Sequence, residues 1–526
     1  MQVETGRINQ MTRMLSLLFR SSVMLLLLIP GLTLAAASGT ALIESAKSGD
    51  RAAVRVLLDE SVDVNATMPD GTTALHWAAL HDDVELATRL LQSGARPDTA
   101  NEYGVSPLYL ACTNRSTAMV QALLQAVVNV NAGLLSGESV LMNCARTGAR
   151  EAAVLLLDAG ADVNHAEAES GQTALMWAAA AGHADMVDLL LQRGADFRTR
   201  TRPGVATLPG TCRVCDWKVS SGDFTALLFA ARSGDIKTAK TLLDAGADPN
   251  ESTLLQGNSL VIASAGGHED LALFLIERGA DIKSADENGI TALHHAVGSG
   301  LSLLNGVIYD NVYRLRPQNQ YRLAETLLKA GADPNVQIRE EQLLGPDGYP
   351  FTMAGATPLL LATASADARM MQILLNSSAN PAIKNEQGIT LLMAAAQVAC
   401  TGTCAYQAGG NIANRENIDQ ALVTVKDVLK LGVDINAVDD TGRTAMHIAA
   451  FTGADSVVQY LADNGARIDP VNEDGETPWT MASGISPDYG SRGLYGHHAS
   501  TAELLVKLGA KPRTVKMSEA EAPTGE

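Results

Sequence analysis

The 526-residue chain carries 39 Lys and Arg against 58 Asp and Glu, a formal charge of −19, and only 4% of its residues are aromatic. So acidic a surface excludes nucleic acid as an expected partner, because phosphate binding needs a basic footprint. The length allows several ordinary domains or one long array, and abundant Ala, Leu and Gly favour small, closely packed helices.

The first element in chain order is the apolar run from Val23 to Ala37, preceded by Arg13 and Arg20 and ending in small residues before Ser38. Broken by Pro30-Gly31, it falls short of the roughly 20 residues needed to cross a bilayer. Residues 1–37 are therefore expected to be a secretory signal peptide, cut after Ala37. The opening segment contains Glu4 and lacks an apolar run, which makes Met11 an alternative start. Cleavage removes three Arg and one Glu and leaves a charge of about −21, with no membrane span and a periplasmic or secreted location.

From Ser38 onward the chain repeats itself. The segments TALHWAALHDDVELATRLLQSGARPD (Thr73 to Asp98), TALMWAAAAGHADMVDLLLQRGAD (Thr173 to Asp196) and TAMHIAAFTGADSVVQYLADNGARID (Thr444 to Asp469) share one frame. Twelve copies align on the turn residues Ser61, Gly94, Val127, Gly160, Gly194, Gly246, Gly279, Gly331, Ser378, Gly432, Gly465 and Gly509. This frame resembles the ankyrin repeat over residues 39–512. The resemblance implies an all-α repeat solenoid of about 12 helix-turn-helix units with finger loops, and an interaction module in place of a reaction.

The frame has physical content. Thr at the head of each first helix caps open N–H groups, and His three residues later reaches back toward that turn, as in Thr73/His76, Thr291/His294 and Thr444/His447. These His residues, with His183 and His268 after Gly, read as structural; His81, His165, His295, His497 and His498 fall outside the frame. Paired Ala lets neighbouring first helices approach, and Leu pairs of the second helix fill the space between repeats. Glycine after the second helix supplies a left-handed cap. One repeat cannot bury its own apolar face, so stability comes from stacking.

Six of the eleven spacings between turn residues are 33 or 34; the other five are 52, 52, 47, 54 and 44, and each excess is an insertion. The organisation expected is repeats one to five over 38–197, a finger insertion with a disulfide over 198–223, repeats six to twelve over 224–512, and a disordered tail over 513–526. Further insertions fall near 301–320, 336–355, 399–419 and 487–497. Three of them (301–320, 399–419 and 487–497) separate the two helices of repeats eight, ten and twelve, and so should share one edge at every other repeat.

Two binding surfaces follow. The insert edge gathers Tyr309, Tyr313, Arg314, Arg316, Tyr406, Tyr489, Arg492, Tyr495 and His497, with Tyr321 and His498 beside them, a Tyr-rich and locally basic set. These aromatics equally suit a role in fixing the inserts to the array. The concave face of the ankyrin resemblance is marked by the residues after Ala-Ala: Leu80, His81, Thr113, Asn114, Arg146, Thr147, Arg232, Ser233, Ser299, Phe451 and Thr452. Trp77 and Trp177 are expected to pack between helices.

Six Cys complete the inventory. Cys112 and Cys144 occupy small-residue positions of adjacent first helices and read as free packed thiols. Cys212/Cys215 and Cys400/Cys404 lie inside insertions and read as local disulfides in an oxidising compartment. A redox role for Cys212/Cys215 is the alternative; Asp216 after Cys215 argues against haem attachment, and four zinc ligands do not converge. No Walker A, GxGxxG, HExxH or GxSxG element occurs. The expectation is a non-catalytic, monomeric scaffold for an unknown protein partner, without cofactor or metal.

Overall fold

The structure, a computed structural model, describes residues 29–60, 62–209, 216–220, 222–253, 255–299, 316–317, 320–339, 354–400, 415–484 and 498–512. The chain forms an array of antiparallel helix pairs in two compact units. Residues 1–202 with 237–247 make one unit, and 203–236 with 248–526 the other.

Helices of this length, most of seven to nine residues, are too short to persist alone. Each is made by its caps and its neighbours. In the first unit the first helices of repeats two to five, Ala74–Leu80, Pro107–Thr113, Val140–Thr147 and Ala174–Ala180, start at Thr73, Ser106, Ser139 and Thr173, whose hydroxyls accept N–H groups three residues on. They stack on one another through fully buried Ala78, Ala79, Ala111, Ala145, Ala178 and Ala179. The second helices Val84–Gln92, Thr117–Gln125 and Arg150–Asp158 form the other layer, filled by Leu90, Leu123 and Leu156. Helix Ile29–Ser48 runs unbroken through Ala37, and its Leu42, Ile43 and Ala46 enter the core of the first repeat.

Every described turn residue of the alignment, from Gly94 to Gly509, has positive φ; Ser61 lies outside the described residues. Two are not glycine: Val127 (φ +57°) and Ser378 (φ +67°). Four residues past the turn, Asn65, Asn131 and Asn164 clasp the next repeat. In each, the side-chain amide donates to the next turn residue, Gly94, Gly160 or Gly194 (3.0, 3.3 and 3.0 Å), while Oδ1 accepts the N–H of Arg96, Asp162 or Asp196 at 2.8 Å.

The second unit repeats this pattern with additions. The finger insertion contains an antiparallel pair, Val205–Pro209 with Asp216–Ser220, in which Pro209 faces Asp216. Gly298–Ser299 pairs with Arg316–Pro317 across the insertion of the eighth repeat, and Ser252–Thr253 pairs with Gly257–Asn258. The second helix of the tenth repeat, Arg415–Leu429, spans 15 residues where counterparts such as Ala368–Asn376 have nine, and so takes up positions 415–419 of the expected insertion.

One expectation is corrected. Cys112 and Cys144 are not free thiols: they form a disulfide with their Cα atoms 4.8 Å apart. Their separation of 32 residues places them at matching positions of adjacent first helices, where small side chains bring the backbones close enough for a bond. No free cysteine occurs among the described side chains.

Candidate protein-binding face

In the first unit the ends of the first helices carry the expected face residues, and their side chains divide by role. Asn114 donates to the carbonyls of Ala79 (3.0 Å) and Leu80 (2.7 Å) of the preceding repeat. Thr147 donates to Cys112 O at 3.0 Å and to Asn143 O at 2.9 Å. Asn143, fully buried where repeats two, three and five carry Trp77, Leu110 and Trp177, donates to Tyr109 O at 2.9 Å and to the Thr113 hydroxyl at 2.8 Å. These three close the polar ends of neighbouring helices against each other. Leu80 (41% exposed), His81, Thr113 and Arg146 remain on the surface.

Aromatic side chains line the same face. The His81 ring lies 5.8 Å from that of Trp77, over which Lys47 sits at 5.4 Å. Arg146 lies 5.6 Å from the Trp177 ring and donates to Asn143 Oδ1 at 2.7 Å. Trp77 and Trp177 are half-buried, with both indole nitrogens inside the array. Tyr109 donates to Glu138 Oε1 at 2.8 Å; burial, reinforced by that carboxylate, pushes its phenol up to about 12.

On the fingers stand two side chains that the sequence reading did not single out, Tyr103 (63% exposed) and Leu135 (81% exposed). The signal was present: both occupy the tip position just before or two residues before the finger glycine, Gly104 and Gly137, where a turn needs no apolar group. Such exposure of large apolar groups beside a polar surround marks contact surfaces.

In the second unit Arg232 lies 5.1 Å from the Phe224 ring and 5.0 Å from that of Phe229, and Ser233 donates to Ala230 O at 3.2 Å. The backbone of Ser299 pairs with that of Arg316. Phe451 is half-buried. Thr452 is 2% exposed and donates to Ala449 O, so it presents no binding surface. Tyr321 packs under Arg369 at 4.1 Å and donates to Asp367 Oδ1 at 3.3 Å. Tyr309, Tyr313, Arg314, Tyr406, Tyr489, Arg492, Tyr495 and His497, together with Cys212, Cys215 and Cys404 and the side chains of Arg316 and Cys400, lie outside the described residues.

The frame histidines hold the fingers. Nδ1 of His76, His294 and His447 accepts the backbone N–H of Thr73, Thr291 and Thr444 at 3.1, 3.1 and 3.0 Å. Each Nε2 meets a carbonyl, Val105, Val336 or Glu476, at 3.0, 3.2 and 3.4 Å. A carbonyl only accepts, so the proton sits on Nε2 and the ring is neutral. Burial lowers His76 below its usual range and brings His294 and His447 to about 4. The finger acids behave as expected of turn formers: Asp286 accepts N–H bonds from Asn288 and Ile290, and burial raises it to about 6. Among the described residues no group of three or more His, Cys, Asp or Glu is placed to hold a metal ion, and no helix is long and apolar enough to cross a membrane.

Comparison with known proteins gives the same frame. The family pattern "Ankyrin repeats (3 copies)" matches in overlapping segments from 18 to 338 and again from 413 to 515. Relatives include Rabankyrin-5 of Mus musculus, 26% identical over 46% of this chain and 16% of that protein. Another is the B-cell lymphoma 3 protein homolog of Mus musculus, 31% identical over 19% of this chain and 23% of that protein. The human Transient receptor potential cation channel subfamily A member 1 is 23% identical over 82% of this chain and 33% of that protein. The chain thus spans a third or less of the length of each. The crystal structure of the human ASB11 ankyrin repeat domain matches 46% of this chain and 98% of that one, at 25% identity and a TM-score of 0.38. With the family pattern covering most of its length, this chain belongs to the ankyrin-repeat family.

Proposed function

We propose that the chain is a non-catalytic scaffold of the bacterial cell envelope that binds a protein partner through the face built by its first-helix ends and fingers. The observation that carries this reading is the exposure in the first unit of Leu80, His81 and Arg146 at first-helix ends and of Tyr103 and Leu135 on the fingers, while Asn114 and Thr147 are engaged by neighbouring repeats. Tyr at such a position supplies contact area at low entropic cost, and Arg is enriched where binding energy concentrates. The Tyr-rich insert edge is the second part of the proposed surface. Export is supported by the apolar run ending at Ala37 and by the Cys112–Cys144 disulfide, a bond that persists outside the reducing cytosol. Removal of residues 1–37 leaves Ser38–Ser48 as the first helix of the first repeat.

A photoreactive side chain placed at Leu80 or Tyr103 in the full chain should capture one defined protein in the envelope fraction. The same probe at Val56, exposed on a second helix, should not. Equal capture from both positions would defeat the assignment of the face. The second reading, a thiol-redox accessory, draws on the Cys212/Cys215 pair of the finger insertion, which lies in sequence between Pro209 and Asp216. Turnover in an insulin-reduction assay that disappears in Cys212→Ser would favour it.

A further inference from the structure

The Asn clasp alternates along the second unit. Asn250 donates to Gly279 O at 3.3 Å and accepts from Asp281 N at 2.6 Å, joining repeats six and seven. Asn335 donates to Ser378 O at 3.4 Å and accepts from Asn380 N at 2.7 Å, joining eight and nine. Asn436 donates to Gly465 O at 3.3 Å and accepts from Arg467 N at 2.8 Å, joining ten and eleven. At the intervening joints the same position holds Lys283, Ala382 and Asp469. Ala382 has no polar atom to offer, Lys283 cannot accept, and Asp469 Oδ1 is buried without a partner.

The backbone at two of these joints is already shaped for a clasp. Lys283 N–H donates to Asp281 Oδ1 at 2.9 Å and Ala382 N–H to Asn380 Oδ1 at 3.0 Å, the turn that also holds Asn250, Asn335 and Asn436 at 2.9 Å. Only the side chain differs. The unclasped joints are also the ones followed by a repeat whose two helices are separated by an insertion, repeats eight, ten and twelve. At the seventh-to-eighth joint other side chains replace the clasp: Glu269 Oε1 accepts the Leu323 N–H at 3.2 Å and Gln320 donates to Ser264 O at 3.1 Å, beside the exposed ion pair of Arg322 with Asp270 at 3.0 Å.

We propose that residues 248–512 are organised by these clasps, Asn250 holding repeat seven, Asn335 repeat nine and Asn436 repeat eleven, and that this stretch yields first at the ninth-to-tenth and eleventh-to-twelfth joints. In a linear array, stability is a sum of repeat and nearest-neighbour terms, so the weakest interfaces open first. Two side-chain-to-backbone hydrogen bonds per clasp make an unclasped joint open about tenfold more often than a clasped one. A ligand bridging two clasped pairs of repeats would stiffen the array there.

Hydrogen exchange of the full chain, read by mass spectrometry on the helices flanking each joint, tests this. Exchange by opening between Ala368–Asn376 and Arg415–Leu429 should exceed that between Tyr321–Lys329 and Ala368–Asn376 about tenfold. Ala382→Asn, which adds a clasp to a backbone already in place, should slow exchange at its own joint about tenfold and leave the others unchanged. Asn335→Ala should make the eighth-to-ninth joint open like the ninth-to-tenth. Uniform exchange across these joints, or an added Asn that leaves exchange unchanged in a folded protein, would overturn the proposal.

Discussion

The His183 ring lies directly over Gly148 of the preceding repeat: a methyl group built on Gly148 would stand 2.9 Å from Cε1, and the ring's Nε2 meets Arg146 O at 3.1 Å. His268 covers Gly234 and His498 covers Gly453 in the same manner. Gly148 also has φ +71°, so Gly148→Ala faces both a left-handed backbone and the ring. It should lose about 2 kcal/mol of stability or more. In the double variant with His183→Ala, part of that loss should return. Denaturant unfolding of the four proteins of the cycle measures the coupling; strictly additive losses would show that ring and glycine do not meet.

Val127 is the opposite case, a β-branched side chain, 86% exposed, in a left-handed turn that its counterparts fill with glycine. Val127→Gly should stabilise the chain by about 1 kcal/mol, since relief of backbone strain exceeds the added freedom of the unfolded chain. A lowered unfolding midpoint would contradict this.

Acid should loosen the fingers. His294, His295 and His447 titrate near 4, 3 and 4 in the folded chain, driven mainly by burial, against about 6.5 when unfolded. The unfolded chain therefore binds more protons between these values. Their contribution is fully present above pH 6.5 and is lost as the pH falls toward 4. Asp286, raised by burial to about 6, has the opposite sign and offsets about one proton of this difference. The net slope near pH 5, about two protons, should be about 3 kcal/mol per pH unit, and His294→Gln with His447→Gln should flatten it. Thermal melts across this range in both proteins decide the matter.

The Cys112–Cys144 bond closes 32 residues between two fully buried sulfurs. Loss of both as Ser should cost about 3 kcal/mol. Because no solvent reaches the sulfurs, reductant alone should leave the bond intact in native protein and cleave it only in denaturant. Alkylation of unfolded, unreduced protein that modified both residues would contradict the bond.

Much of this fold could be read from the chain because an ankyrin unit writes its backbone demands locally. Thr73 and His76 are three residues apart, and the turn residues from Gly94 to Gly509 recur on a period. What depends on neighbours was harder to read. Cys112 and Cys144 each look like a small core residue until helix stacking brings their Cα atoms to 4.8 Å. His498 belongs to the same set as His183 and His268, yet the insertion before it separates it from the Gly-His pattern that marks them. At the helix ends, the sequence does not show that Asn114 and Thr147 are engaged by the preceding repeat, nor that Tyr103 and Leu135 stand exposed on the fingers.

The binding reading meets its most direct test in a titration of the protein captured at Leu80 against the full chain and a Leu80→Ala, Tyr103→Ala, Leu135→Ala variant. Because these side chains lie outside the core, the melting temperature should hold while the dissociation constant rises tenfold or more. An unchanged dissociation constant with the fold intact would contradict the proposed face.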